Sequence, residues 1–354
     1  MQEQLGQLVK NEEFEEAAVI RDQIRALKAG GDDDVVLSSR IRLARNLKDE
    51  RFPIYEQKEE IVDSIAEVFD DNFTLFKMNQ ISLLEKALLV EKHLISPYMM
   101  NKSEFGAVLL NEEENVSIML NEEDHLRIQC MTPGLRLFDA LEAALQIDGY
   151  VEEKLTYAFD RQFGYLTSCV TNIGTGMRAS VMVHLPGLVT TKRIKSVIEA
   201  IRSLGFVVRG IYGEGSMPAS SIFQVSNQVT LGKTETEIVE DLTQVMEQII
   251  MQERVARTTL KQKFHIALED RVFRSYGLLM NCRIISMKEA ADAISDIRLG
   301  VELGFFEHIS RQKMNELVLF SQPAFLRREA GRDMDELEEK VIRAKVIREI
   351  LGDK

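Results

Sequence analysis

Five arginines stand where an arginine is expected to do more than solvate a surface. Arg40 and Arg42 lie in Ser38-Ser39-Arg40-Ile41-Arg42-Leu43-Ala44-Arg45, a run that alternates polar and apolar residues. Arg127 follows His125-Leu126, Arg178 comes just after Gly174-Thr175-Gly176, and Arg209 closes Phe206-Val207-Val208 ahead of Gly210. The guanidinium is a planar fork that donates paired, charge-assisted hydrogen bonds, so arginines brought together suit phosphate oxygens. In a strand Arg40 and Arg42 point to the same face. Two acidic stretches accompany them: Asn121-Glu122-Glu123-Asp124-His125, and Glu214 in Gly210-Ile211-Tyr212-Gly213-Glu214-Gly215-Ser216. A carboxylate on a loop beside a strand end is placed to bind a cation or take a proton. Cys169 is followed by Val170-Thr171-Asn172-Ile173-Gly174, where backbone amides favour a thiolate. Each feature also has a plainer reading. Surface arginines are common, and acidic runs and glycine loops make ordinary solvated turns. Cys130 and Cys282 read as small buried apolar residues.

The usual nucleotide signatures are missing. Gly232-Lys233-Thr234 looks like the end of a P-loop, but position 227, where a glycine is needed, is Asn227. No GxGxxG opens a helix after a strand, and there is no His-Arg-Asp catalytic loop. A phosphate site in this chain has to be built from side chains. The 3 cysteines and 5 histidines are scattered, without a CxxC pair, so neither a disulfide framework nor a structural zinc site is expected, and no protein-bound metal is assigned.

The elements that must position these groups fall into units. The chain has 354 residues, enough for two or three domains. Its net charge of −13 argues against general nucleic-acid binding. No apolar run approaches a membrane span and the N-terminus is not a signal peptide, which points to the cytoplasm. Residues 1–29 carry an apolar stripe (Leu5, Leu8, Val9, Phe14, Ile20, Ile24, Leu27) at helical spacing, split near Asn11 into a hairpin of two short helices. Such helices are marginal alone and need a partner surface. Residues 30–34, Gly30-Gly31-Asp32-Asp33-Asp34, read as a linker. From 35 to 254 the pattern is α+β, an antiparallel sheet flanked by helices. Strands are expected at 107–110, 116–120, 126–130, 165–169, 180–185, 206–211 and 222–230. Helices are expected at 135–148 and 190–204, the latter ending at Gly205. From 234 on the chain reads as helical, with helices at 234–263, 268–281, 288–299, 311–319 and 334–351, and residues 255–354 read as a helical domain.

In order and spacing, four of these motifs resemble the guanidino (phosphagen) kinases: Ser38 to Asn46, Asn121 to Ile128, Cys169 to Ser180, and Arg209 to Glu214. The likeness is greatest to the bacterial protein arginine kinases and runs from about Asp34 to the C-terminus. Glu12 to Ile24 resembles the core of a UVR motif, as found at the end of the activator partner of those kinases.

The resemblance implies ATP-dependent phosphorylation of protein arginines, in protein quality control and stress response, marking proteins for degradation. It implies ATP and Mg2+ as cofactors, with Mg2+ carried by ATP and Glu122 in its water shell. It implies a nucleotide site drawn from Ser38, Ser39, Arg40, Ile41 and Arg42, His93, Arg127, the run Arg178, Ala179, Ser180, Val181 and Met182, and Arg209, Gly210, Ile211, Tyr212 and Gly213. Glu123 and Glu214 would hold and deprotonate the substrate guanidinium, with Cys169 beside them as a thiolate. Implied partners are protein substrates with exposed arginines, the UVR-like hairpin acting in cis or in trans, a Clp-type protease chaperone and further copies of the chain. A kinase for a free guanidino metabolite, or a regulatory adaptor with a silent kinase domain, are the competing readings. Two departures stand out. Val170 occupies the place of a proline usual after the family's cysteine. In the tail, Glu339-Lys340-Val341-Ile342-Arg343-Ala344 keeps only the last two residues of the family's phosphoarginine-sensing Arg-Asp-x-x-Arg-Ala motif and reads as an ordinary charged helix.

Overall fold

The computed structural model describes residues 32–69, 72–102, 104–210 and 219–352. The hairpin expected over 1–29, most of the linker, and Ile211, Tyr212, Gly213 and Glu214 lie outside the described residues.

Alternating and β-branched runs form the strands. They are β1 (Val36–Arg45), β2 (Phe73–Lys77), β3 (Ala107–Asn111), β4 (Val116–Leu120), β5 (Leu126–Pro133), β6 (Phe159–Asp160), β7 (Gly164–Tyr165), β8 (Met177–His184), β9 (Phe206–Gly210) and β10 (Ile222–Asn227). Eight of them make one sheet in the order β2-β3-β4-β5-β1-β8-β10-β9, antiparallel throughout, while β6 and β7 form a small separate hairpin.

The helices are α1 (Glu59–Ala66), α2 (Leu83–Glu91), α3 (Pro97–Lys102), α4 (Leu137–Glu152), α5 (Pro186–Thr190), α6 (Ile194–Ser203), α7 (Glu235–Lys263), α8 (His265–Asn281), α9 (Met287–Glu302), α10 (Arg311–Phe320), α11 (Pro323–Ala330) and α12 (Glu336–Gly352). One face of the sheet packs on helices including α4, α6 and α7, through Ile41, Leu43, Ala179, Val181, Val183, Leu141, Ile201 and Leu242. At the β2–β4 end a smaller cluster covers the other face, with Val108, Leu110 and Met119 against Leu94 and Met99. The tail helices bury their own core around Val272, Ile297, Met314 and Ile347. The rest of the second face, across β5, β1, β8, β10 and β9, carries the polar residues.

Several local expectations change. Of the strand expected at 165–169 only Tyr165 is paired, and Cys169 lies in a loop. The helix expected at 190–204 is two helices, broken where Lys192 turns left-handed at φ 60°. Gly232-Lys233-Thr234 is a helix start rather than a phosphate loop. The Thr234 side chain accepts from the Glu237 amide, and the Glu237 carboxylate accepts from the Thr234 amide. Pro323 opens α11, where its missing N–H costs nothing. Residue 254, the expected end of the α+β unit, falls inside α7, which feeds Ala256 to the first core and Leu260 to the second. No helix among the described residues is long and apolar enough to cross a membrane.

Candidate active site

Strand register alone gathers the arginines. Arg42 pairs with Arg178, Ala44 with Arg127, and Arg40 with Ser180. Met182 pairs with Gln224, which in turn pairs with Arg209. Directly paired residues share a face, and so do residues two apart in a strand. Arg40, Arg42, Arg127, Arg178 and Arg209, contributed by four strands, therefore stand on one face with Ser38, Ser180 and Met182. Ser39, Ile41, Ala179 and Val181 correct the sequence expectation. Their side chains point to the opposite face, where the Ser39 hydroxyl donates to the Gly134 carbonyl at 2.8 Å and the other three are fully buried in the core. They cannot present side chains to a ligand on the arginine face.

The charges crowd one another. Burial, then the charges of Arg178 and Arg127, push the Arg40 guanidinium down to about 10. Burial, then Arg40, Arg127 and Arg178, hold Arg42 well below the ordinary arginine value, with Glu122 opposing. Burial, then Arg209 and Arg127, lower Arg178, with Cys169 opposing. The neutralising contacts are few. Arg178 Nη2 donates to Ser226 Oγ at 3.1 Å, and Arg40 Nε to Ser180 Oγ at a long 3.4 Å. Arg42 Nε and Arg178 Nε are buried with no hydrogen-bond partner. A buried donor left unmet is costly, so this set is suited to anionic oxygens.

The acidic turn forms the far edge. The Arg127 fork grips Glu122 at 2.8 Å through Nη1 and Glu123 at 2.9 Å through Nη2. Glu122 is buried, also accepting from the Glu123 amide at 2.9 Å and from the Ser96 hydroxyl, whereas Glu123 is partly exposed. The stretch is thus not the solvated turn that its composition allowed. Cys169 Sγ lies 3.0 Å from Thr171 Oγ1, and Val170 is 78% exposed. Arg42, Glu123, Arg127, Cys169 and Arg178 line one cavity of about 200 Å³. A larger groove of about 640 Å³ between α6 and α7 lies against the other side of the sheet. Chemistry, not size, marks the site. His93, exposed and left-handed at φ 61°, lies within electrostatic reach of Arg40. Gly210 and Arg209 are exposed at the end of β9. Glu214 lies outside the described residues.

Groups not singled out from the sequence hold these parts in place. Asp124, fully buried, accepts from Asn46 Nδ2 at 2.6 Å and from the Ser168 amide at 2.6 Å, tying the acidic turn to the cysteine loop. Asn46 Oδ1 in turn accepts from the His125 amide at 2.9 Å. The loop closes on Thr230, whose hydroxyl donates to the Thr171 and Ile173 carbonyls at 3.0 and 2.7 Å. Gly176 is left-handed at φ 64°, and a Cβ there would stand 2.6 Å from the Ala44 carbonyl. Only glycine allows that approach. Arg45, on the core face, pairs with Asp148 at 2.6 Å and lies 3.6 Å over the Tyr165 ring. Its position in the alternating run, out of step with Arg40 and Arg42, was the available signal. In the tail, Arg343 is almost wholly buried. It donates to the Ser321 and Ile285 carbonyls at 2.9 and 3.3 Å and pairs with Glu339. The stretch is the helix expected there, and Arg343 is its buried, packed member.

Comparison with known proteins places this geometry. Residues 56–256, more than half of the chain, match the model of the ATP:guanido phosphotransferase C-terminal catalytic domain. Residues 265–354 match the protein-arginine kinase McsB C-terminal domain, and residues 1–30 match the UvrB/uvrC motif. A protein-arginine kinase of Listeria monocytogenes serotype 4b is 96% identical over 326 residues, covering 92% of this chain and 96% of its own. One of Geobacillus sp. is 54% identical over 332 residues, covering 91% and 92%. Among solved structures, a lombricine kinase superposes with a TM-score of 0.54 at 24% identity, over 63% of this chain and 67% of its own. A duplicated taurocyamine kinase from Schistosoma mansoni with bound transition state analog components gives 0.56 at 21% identity, over 70% and 39%. At those identities the structures speak for the fold.

Proposed function

The chain belongs to the protein-arginine kinase family, and we propose that it transfers the γ-phosphoryl group of ATP to the guanidinium of arginine side chains in proteins. The observation that carries this reading is a face of crowded, under-neutralised arginines that ends at Glu123 and Cys169. ATP, bound with Mg2+, supplies the phosphoryl donor. Arg40, Arg42, Arg127, Arg178 and Arg209 hold its phosphate oxygens, and the unmet donors of Arg42 and Arg178 suit that task. Ser38, Ser180, Met182, His93 and Gly210 border the same face.

A substrate guanidinium is a poor nucleophile while protonated. Glu123 binds it bidentately, orients one nitrogen and, together with Glu214, accepts its proton. Here Arg127 occupies Glu123 at 2.9 Å, so substrate exchanges one guanidinium for another on the same carboxylate. Cys169 lines the same cavity on that side. Positioning and charge neutralisation are what phosphoryl transfer asks of a protein.

The reading extends to a cytoplasmic enzyme of protein quality control that works as a homo-oligomer. It presents phosphorylated proteins to a Clp-type chaperone and is activated by the segment 1–30 in cis or in trans. The deciding experiment incubates the protein with Mg-ATP and an unfolded basic protein and seeks acid-labile phosphoarginine by mass spectrometry. Phosphoarginine on the protein, lost in Glu123→Gln and Glu214→Ala, is expected. Turnover of free arginine alone would favour the metabolite kinase. Nucleotide binding without any transfer would favour the adaptor.

A further inference from the structure

The cysteine loop carries an apolar rim that the phosphate chemistry does not use. Val170, Leu231, Val229 and Phe163 are 78, 51, 49 and 47% exposed, whereas Thr230, between two of them, is only 6% exposed. Backbone contacts bring their segments together. The Thr230 hydroxyl donates to the Thr171 and Ile173 carbonyls, and the Thr230 carbonyl accepts from the Thr175 amide at 3.1 Å. With Thr230 bound into the loop, Val229 and Leu231 on either side of it are left exposed. On the other flank the β6–β7 hairpin is stitched to the same loop, the Tyr165 amide donating to the Gly174 carbonyl at 2.8 Å. The approach is close. A Cβ on Gly164 would stand 2.5 Å from the Gly174 carbonyl oxygen, and one on Gly174 would stand 2.3 Å from that of Thr230. Phe163 directly precedes this contact, and Val170 opens the short turn Val170–Asn172. All four apolar side chains thus stand on one fixed scaffold. Single exposed apolar residues are ordinary, but several together beside a polar cavity mark contact with another molecule.

The rim is continuous with the candidate active site. Cys169, Thr171 and Asn172 line the cavity with Glu123, so exposed Val170 sits between two lining residues. The rim is also electrically bare. In a chain that is 29% charged, neither 166–176 nor 222–232 contains a charged residue, and Lys233, next along, is paired with Asp241. The contact it offers is therefore apolar rather than ionic. A guanidinium inserted as far as Glu123 leaves its own backbone and its sequence neighbours outside the cavity, at this rim.

We propose that Val170, Val229, Leu231 and Phe163 form a specificity-determining surface that receives apolar side chains next to the acceptor arginine in an extended protein segment. The proposal rests on the reading of the chain as a kinase of protein arginines and narrows its substrate class.

The test uses two peptides with one arginine each, flanked on both sides by Leu and Val in the first and by Ser and Gly in the second. The unaltered protein should phosphorylate the apolar-flanked peptide with kcat/KM about 10-fold higher, mainly through KM, the scale of a small apolar contact. Val170→Ser combined with Leu231→Ser should bring that peptide down to the level of the other. The Ser/Gly-flanked peptide and Mg-ATP affinity should stay within about twofold. Leu231→Met, which keeps apolar bulk, should keep the preference. If the unaltered protein phosphorylates neither peptide, the kinase reading fails and the proposal with it. If it phosphorylates both equally well, or the preference survives in the double variant, only the role of the rim is overturned. An equal fall for both peptides in the double variant would also overturn it, since a displaced cysteine loop would then explain the loss. A changed sedimentation coefficient with the preference intact would give the rim to a second copy of the chain instead.

Discussion

Arg42 and Arg45 belong to the same strand, yet their surroundings are opposite. Arg45 points into the core, where Asp148 neutralises it at 2.6 Å, the Ala44 and Thr175 carbonyls each accept from Nη1 at 2.9 Å, and the Tyr165 ring lies beneath it. Arg42 points the other way, into a cavity shared with Arg127 and Arg178, with a buried Nε that no acceptor meets. One arginine is satisfied by the fold. The other is held at the fold's expense, and a charge left uncompensated near like charges is an invitation to an anion. Arg257 and Arg343 repeat the first pattern, paired with Glu253 at 2.7 Å and with Glu339 respectively. Residue type is therefore a poor guide to role in this protein, and the degree of neutralisation is a good one.

The comparison can be broken from either side. The largest expected effect is on activity. Arg42→Gln should cut phosphotransfer by about 10³-fold, the scale on which transition-state arginines act, while circular dichroism stays unchanged. A loss of threefold or less would remove Arg42 from the phosphate site. Next comes Arg45→Gln, which leaves Asp148 buried without its cation and should lower unfolding free energy by about 3–5 kcal/mol in a urea titration. Replacing both partners with apolar residues of similar volume should restore most of that. If the single and double variants unfold alike, the pair is not what anchors the core face.

Saturating Mg-ATP offers a third test. At about 100 times its Kd it should stabilise the native state by about 2.7 kcal/mol, seen as a shift in melting temperature. Arg42→Gln should show almost none of that shift at the same concentration.

The smallest effect has the more telling sign. Burial and neighbouring cations hold the Arg42 guanidinium well below its ordinary value, so its charged form weighs against folding, most fully at pH below that lowered value. Removing the charge should stabilise the nucleotide-free protein by roughly 1 kcal/mol, a couple of degrees in melting temperature. A fall in melting temperature instead would mean that Glu122 already compensates the cluster.

Much of this was legible in advance because it is local. The alternation Ser38 to Arg45 announces a strand and puts Arg40 and Arg42 on one side of it. The hairpin between β4 and β5, the left-handed Gly205 and the long helix opened by Thr234 all follow from short-range pattern. What was not legible is long-range. Asp124 looked like part of a solvated turn but is buried on Asn46 and Ser168, because its partners lie far along the chain. Short segments such as β2 and α1 carry little signal of their own, since each is stable only through the sheet or core beneath it. Ser39, Ile41, Ala179 and Val181 belong to the same continuous motifs as residues of the arginine face. A strand splits such a motif between two faces.

The sequence by itself determined the chemistry available: five arginines, an acidic turn, a cysteine in a glycine-bounded loop, and no ready-made phosphate loop. Only the tertiary structure decided which of the arginines share a face. The reason is physical. Side-chain direction within a strand is set by a two-residue period, but the alignment of one strand with the next is set by hydrogen-bond register across segments more than a hundred residues apart, as in Arg40 with Ser180. Neutralisation follows the same rule, since whether a guanidinium meets a carboxylate depends on what the rest of the chain brings to it.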